Sequence, residues 1–241
     1  MKITITENQY SQLVREQSKV SDLKDKINKA ALKKLGVSWG KLQGLISRLK
    51  SPTEKDFEFL TNLSLKQLKA VLNLVPEKNL NNVPDLYPIP TLPKKINSCY
   101  GKRWGRMHSG VDLDTNRLKS NQPLMAACSG VVVSATESGD CGGFIKIKCN
   151  SDYEVGYCHL RVVNESLYNL RVPKGFPIGV SGGGEGDPGA GNSMGPHLHY
   201  IIWQGGKKVN PINVMDGGHT IPAGGSENRN GKFCNPNPLK Q

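Results

Sequence analysis

The sequence predicts an α+β protein: a small helical N-terminal module followed by an antiparallel β-sheet domain. Three observations predict it. Apolar residues recur at helical spacing as far as Val75, β-branched runs divided by glycine dominate from Ile96, and an Asn/Pro-rich stretch separates the two. At 241 residues with 37% hydrophobic side chains, the chain has material for one medium domain and one smaller one.

The helical module is expected over residues 1–78. Thr6-x-x-Gln9 has the form of a capping box, followed by Tyr10, Leu13 and Val14 at helical spacing. A second stripe runs through Leu23, Ile27, Ala31 and Leu35 and stops at Gly36, and a third holds Leu42, Leu45, Ile46 and Leu49. Pro52 opens the next, with Thr53 and Asp56 as capping partners. Its stripe of Phe57, Leu60 and Leu63 continues through Leu65, Leu68, Val71, Leu72 and Val75. These stripes read as the core of the module. Residues 79–95 carry Asn79, Asn81, Asn82, Pro84, Pro88 and Pro90, and read as a semi-rigid linker, because proline removes backbone donors and favours extended chain.

The β domain is expected over residues 96–215. Val131-Val132-Val133 follows Gly130, and Phe144-Ile145-Lys146-Ile147-Lys148 alternates apolar and charged, as a half-buried strand does. Asn150-Ser151-Asp152 supplies a turn before Val155-Gly156-Tyr157. Further strands are expected from Pro196 to Trp203 and at Val209. The Gly/Asn/Pro-rich tail, residues 216–241, reads as loop or disorder.

A formal net charge of +12 favours polyanionic partners, such as nucleic acid, anionic membrane or an acidic bacterial envelope. No zinc-finger, RNA-binding aromatic motif or basic heptad accompanies the charge, so no specific nucleic-acid role is expected. No apolar run reaches the roughly 18 residues of a membrane span, and the first residues lack the apolar core of a secretory signal. None of the six cysteines forms a Cys-x-x-Cys pair, which argues against a thiolate zinc knuckle or a thioredoxin-like site. With no export signal visible, free thiols are expected.

Four of the five histidines fall in three short segments of the β domain. In His108-Ser109-Gly110-Val111-Asp112, the glycine and valine disfavour helix. An extended strand puts 108, 110 and 112 on one face, with Gly110 leaving open space for a metal. In Gly195-Pro196-His197-Leu198-His199-Tyr200, both imidazoles share a face and Leu198 takes the other. In Gly156-Tyr157-Cys158-His159-Leu160, a single histidine ends a strand. Two imidazoles and a carboxylate make a catalytic zinc set with a fourth position for water. The metal lowers the pKa of that water from about 15.7 towards about 7 and polarises a scissile carbonyl. A remaining histidine is then free to act as general base or to steady an oxyanion. Each segment alone has an ordinary explanation: a surface hydrogen bond, or a satisfied core histidine. Their joint occurrence, with only His219 elsewhere, favours the metal site.

His-x-Gly-x-Asp, then Tyr-x-His-Leu, then Gly-Pro-His-Leu-His resembles the lysostaphin-type (LytM-like) zinc endopeptidases over roughly Ile96 to Met215. Ala126–Val132, Lys174-Gly175 with Ile178-Gly179, and Asn210-Pro211 match further family segments. The resemblance implies an antiparallel LytM-like peptidase domain that cleaves stem or bridge peptides of peptidoglycan. It also implies Zn2+ on His108, Asp112 and His199, with His159 and His197 catalytic. Two departures stand out: Asn121-Gln122-Pro123 replaces the usual Gly-Thr-Pro, and the glycine loop from Ser181 to Gly195, with Glu185 and Asp187, is long and expected to wall the groove.

The opening of the chain resembles small tail- or capsid-associated proteins of bacterial viruses. A virion-associated or lysis enzyme acting at the cell wall, with a virion or other protein partner bound through the N-terminal helices, is therefore expected. The alternative is a catalytically silent relative that binds wall or regulates another hydrolase. Such relatives commonly lack a site residue, and all five are present here.

Overall fold

The computed structural model describes residues 29–47, 54–72, 82–115, 121–224 and 233–237. The expectations placed on Thr6 to Ile27, Leu49, Pro52, Thr53, Val75, Asn79 and Asn81 lie outside the described residues.

Residues 29–34 are helical and end at Gly36, whose φ of 71° is the left-handed conformation a helix C-terminus favours. Gly36 N–H bonds the Lys33 carbonyl and Val37 N–H bonds that of Leu32, so the last carbonyls are satisfied. Helix α1 (Trp39–Ser47) buries Leu42 and Leu45. The stripe from Leu60 to Leu72, expected to be continuous, is instead divided into α2 (Glu54–Thr61) and α3 (Leu65–Leu72). The cause is a second capping box. Ser64 N–H donates to Gln67 Oε1 at 2.7 Å, and Gln67 N–H lies 3.4 Å from Ser64 Oγ, which starts a new helix. Gln67 Nε2 also donates to the Leu35 carbonyl at 2.7 Å, tying α3 to the end of the first helical segment. Leu32, Leu42, Leu45, Leu60, Leu68 and Val71 form the module's core.

Thirteen strands are assigned among the described residues: β1 (Ile96–Ser98), β2 (Gly101–Arg103), β3 (Arg106–His108), β4 (Val111–Asp114), β5 (Pro123–Met125), β6 (Gly130–Ser138), β7 (Gly142–Lys148), β8 (Tyr153–Cys158), β9 (Leu160–Val163), β10 (Arg171–Val172), β11 (Pro177–Ser181), β12 (His197–Gln204) and β13 (Lys207–Val209). The main sheet runs β1-β4-β12-β8-β7-β6-β10, with β13 added to β12; β5-β11-β9 form a second sheet and β2-β3 a hairpin. All of these named strand pairs are antiparallel. Ile145 and Ile147 of β7 are fully buried, as the alternation expects. Asn150 Oδ1 accepts from the N–H groups of Asp152 and Tyr153, closing the β7–β8 turn.

Residues 82–95 do not cross open solvent as a spacer. Tyr87 and Ile89 are buried in the core, Met125 N–H donates to the Pro88 carbonyl at 2.9 Å, and Asp85 pairs with Lys174. Apolar side chains alternate with the prolines here, and burying them outweighs the preference for a solvated linker. The tail is likewise held where it is described: Ile221 is buried, and Pro222 bridges Phe233.

The expectation of free thiols is overturned. Cys99 pairs with Cys234, Cys128 with Cys149, and Cys141 with Cys158, at Cα separations of 5.6, 5.8 and 4.7 Å. The antiparallel sheet explains two of these pairs, since Cys128 and Cys149 flank the β6–β7 pair while Cys141 leads into β7 and Cys158 ends β8. Absence of a visible leader had no bearing on which strands the fold would bring together.

Candidate metal centre

The site forms where β12 runs between β4 and β8. Register sets His199 opposite Asp112 on one side and opposite Cys158 on the other. Antiparallel partners hold their Cβ atoms about 4.5–5.5 Å apart, so pairing alone closes the sequence gap between Asp112 and His199. His197 shares the face of His199, while Leu198 and Tyr200 are fully buried on the other.

His108 ends β3 and Asp112 lies in β4, so one extended strand does not carry both; the chain bends at Ser109-Gly110. Gly110 is also not the open space expected of it. A Cβ there would stand 2.4 Å from the Tyr200 carbonyl oxygen and 2.9 Å from His199 Cε1. The missing side chain lets β12 and the His199 ring approach the β4 backbone closely.

The ring of His108 is aimed by the backbone. Its Nδ1–H donates to the Cys99 carbonyl at 2.7 Å, which turns Nε2 towards Asp112 Oδ1 and His199 Nδ1, each 3.0 Å away. His199 Nδ1 lies 2.8 Å from Asp112 Oδ1. These three atoms, a set that could hold a metal ion, thus form a tight triangle in the groove. With its Nδ1 proton committed, a neutral His108 presents a lone pair to a carboxylate, acceptor against acceptor. A proton on His199 Nδ1 satisfies one edge of the triangle; a cation satisfies all three. Two imidazole nitrogens and one carboxylate oxygen, with the remaining direction open to the groove, fit Zn2+.

Burial pushes the Asp112 carboxyl upward, but the hydrogen bonds that His108 and His199 donate when protonated on the facing nitrogen, with the charge of His197, outweigh it and hold the group well below the usual carboxylate range. Burial depresses His199, against the pull of Asp112. Both groups therefore stay in the forms that bind metal.

His159 stands across the groove, directly after β8, with a φ of 65°. That left-handed backbone costs a non-glycine residue roughly 1–2 kcal/mol. It is over-determined here: His159 N–H donates to the Cys141 carbonyl at 2.7 Å, the His159 carbonyl accepts from Gly182 at 2.9 Å, and the neighbouring Cys158 is tied to Cys141. Burial, then the charges of His197 and His199, push the His159 imidazole down to about 4. It is neutral near pH 7, with Nδ1–H donated to the Ala190 carbonyl at 2.8 Å and a free lone pair on Nε2. His197 packs edge-on against it, ring centroids 4.7 Å apart, and its Nδ1 lies 2.8 Å from the Gly195 carbonyl.

All five residues singled out in the sequence meet in one groove of about 1030 Å3, and His219 lies in a short 3-10 turn outside it. Trp104 and Met107 from the β2–β3 hairpin line one wall and Asn192 to Gly195 the other. Only this last part of the glycine loop reaches the groove. Asp187 instead accepts from Gly184 N–H and faces Arg161 at 3.6 Å, while Glu185 is exposed. Sequence reading missed two polar neighbours. Ser193 Oγ lies 2.8 Å from the carbonyls of Gly183 and Gly195 and 3.2 Å from His197 Nδ1. Arg103 Nη2 lies 3.3 Å from Asp112 Oδ2. No spacing rule points to either; the hairpin turn at Trp104-Gly105, both in the left-handed region, brings Arg103 to the site.

Residues 106–211 match peptidase family M23. A DD-carboxypeptidase/endopeptidase, Mpg, of Neisseria meningitidis serogroup B is 30% identical over 132 residues, 52% of this chain and 28% of that protein. The peptidoglycan DD-endopeptidase ShyA of Vibrio cholerae is 28% identical over 107 residues, 44% of this chain and 23% of that protein. Among solved structures, the catalytic domain of lysostaphin from Staphylococcus simulans is similar with a TM-score of 0.42 and 29% identity, covering 50% of this chain and 90% of that one. The chain spans about a quarter of the length of the curated relatives it matches. The match to peptidase family M23 covers the segments that carry His108, Asp112, His159, His197 and His199.

Proposed function

We propose that this protein is a zinc metalloendopeptidase that hydrolyses peptide bonds of bacterial peptidoglycan. The observation that carries the reading is the convergence of His108 Nε2, Asp112 Oδ1 and His199 Nδ1 beside two further histidines that face the same groove. His108, Asp112 and His199 would hold Zn2+, which supplies Lewis-acid activation of water and polarisation of the scissile carbonyl.

The chain's own groups handle the protons. His159, neutral and bonded through Nδ1 to a backbone carbonyl, can accept a proton at Nε2 and pass it to the leaving amine. His197 has its Nδ1 beside the Gly195 carbonyl and its Nε2 3.5 Å from Asp112 Oδ1, so it can donate to an oxyanion that develops in the groove. The groove is open along its length and suits an extended peptide.

Two relatives bear the names of DD-endopeptidases, which makes a bond between D-amino acids of the stem peptides the first to test. The net charge of +12 is suited to an anionic wall, and three disulfides suit an oxidising environment outside the cytosol. Among the described residues no helix is long and apolar enough to cross a membrane. In this reading the helical module is the part available to a virion or another protein partner, while the M23 domain cuts. Digestion of purified walls of several chemotypes, with new termini identified by mass spectrometry, tests the proposal. Zinc-dependent release of fragments is expected. Stoichiometric zinc with no new termini from any wall would favour a wall-binding role instead.

A further inference from the structure

We propose that Arg103 is a positioning residue that fixes which oxygen of Asp112 meets the metal; the inference rests on the metal-centre reading above. Asp112 has two oxygens with different company. Oδ1 faces His108 Nε2 at 3.0 Å and His199 Nδ1 at 2.8 Å. Oδ2 faces Arg103 Nη2 at 3.3 Å. The other end of the guanidinium is anchored, with Nη1 2.5 Å from Ser98 Oγ, and its Cζ lies over the Trp104 ring, 5.1 Å from the centroid. The planar fork is held at three points, and the carboxylate cannot rotate without breaking the pair.

The local backbone is built for this contact. Trp104 and Gly105 form a two-residue hairpin turn with φ of 48° and 74°. Such turns favour Asn-Gly, and a tryptophan at positive φ is an outlier. Trp104 is also 73% exposed, so burial of its ring does not explain its place. What the turn achieves is to return the chain so that Gly101 pairs with His108 and Arg103 reaches Asp112.

The chemistry follows. A carboxylate with both oxygens free can chelate a divalent ion through both and occupy the position that water or substrate needs. Arg103 holds Oδ2, so a bound metal would meet one oxygen of Asp112 and would keep a position for water or substrate. It would also withdraw negative charge from the carboxylate, which would keep a bound ion more strongly Lewis acidic.

The test replaces zinc with Co2+ in the full chain, because the intensity of cobalt's visible bands falls as coordination number rises. Wild-type protein, Arg103→Met, Arg103→Lys and Ser98→Ala are compared, with zinc affinity measured by competition with a chelator. Arg103→Met frees Oδ2 and is expected to shift the cobalt spectrum towards higher coordination, with zinc held at least as tightly as by the wild type. Arg103→Lys keeps the charge without the two-ended fork and is expected to shift the spectrum part of the way. Ser98→Ala releases the anchor and should shift the spectrum in the same direction, which keeps the test decisive if Arg103→Met does not fold. An unchanged cobalt spectrum in Arg103→Met, or in Ser98→Ala where Arg103→Met fails to fold, overturns the positioning role whatever happens to affinity. Failure of the wild type to take up either metal would instead remove the metal-centre reading itself.

Discussion

The two walls of the groove hold a histidine in the same way and give its inner nitrogen different company. His108 on the hairpin side and His159 on the β8 side each donate Nδ1–H to a backbone carbonyl, at 2.7 Å to Cys99 and 2.8 Å to Ala190. In each case a disulfide-bonded cysteine makes one of the anchoring backbone bonds. What differs is the surroundings of Nε2. On His108 it meets a carboxylate oxygen and a second imidazole; on His159 it faces the groove beside His197. The outer hydrogen bond sets the tautomer, and in the proposed reading the company of the inner nitrogen sets the role.

That contrast breaks most sharply by removing one ring from each wall. His108→Ala and His199→Ala are expected to lose both bound zinc and all metal-dependent turnover, as metal analysis with wall digestion would show. His159→Ala should keep one zinc per chain and lose about 10²–10⁴-fold in kcat. Equal zinc loss in both sets would erase the distinction between ligand and proton carrier.

The disulfides sharpen it next. Each is expected to contribute roughly 2–5 kcal/mol to stability. Their signatures at the site should differ. The paired change Cys141→Ser with Cys158→Ser loosens the His159 corner, lowering kcat with zinc affinity nearly intact. Cys99→Ser with Cys234→Ser loosens the carbonyl that aims His108, so zinc affinity falls. Thermal melts and chelator competition on both variants separate the two effects.

Gly110→Ala probes the hairpin wall alone. Its Cβ would meet the Tyr200 carbonyl at 2.4 Å, backbone that cannot swing aside, so β4 and β12 must part. A loss of about 1–3 kcal/mol is expected in denaturant unfolding, together with weaker zinc binding and no change in the His159 environment.

An effect of similar size is a pH dependence that belongs to the other wall. The folded-state pKa of His159 lies at about 4, below the 6.5 of an ordinary histidine. The unfolded chain therefore binds the proton first on acidification, and stability is full above about pH 6.5 and falls as pH drops towards about 4. In zinc-free protein this contributes on the order of 2 kcal/mol, after allowance for coupling to its histidine neighbours. Chemical unfolding at several pH values should show the slope, and His159→Ala should flatten it.

Much of the site was legible because it is encoded as short segments. His-x-His fixes two rings on one strand face through period 2, and β12 obeys it at His197 and His199. Ile145 and Ile147 announced β7 in the same way. The contacts that aim these groups were not legible, since they run between segments joined only by folding: the Cys99 carbonyl on His108, Arg103 on Asp112, and Ser193 beside His197. Gly110 was misread for the same reason. The sequence shows that a side chain is missing, but only the register of β4 against β12 shows what fills the space. The cysteines were misjudged because pairing depends on which strands are neighbours. The break between α2 and α3 could have been read, since Ser64-x-x-Gln67 is a local signal hidden inside a longer apolar stripe.

The most direct test of the central claim is an anomalous difference map at the zinc edge from crystals of the zinc-loaded protein. One peak is predicted, about 2.0–2.2 Å from His108 Nε2, Asp112 Oδ1 and His199 Nδ1, with His159 and His197 out of bonding range. A peak bonded to His159 or His197, or no peak beside Asp112, would contradict it.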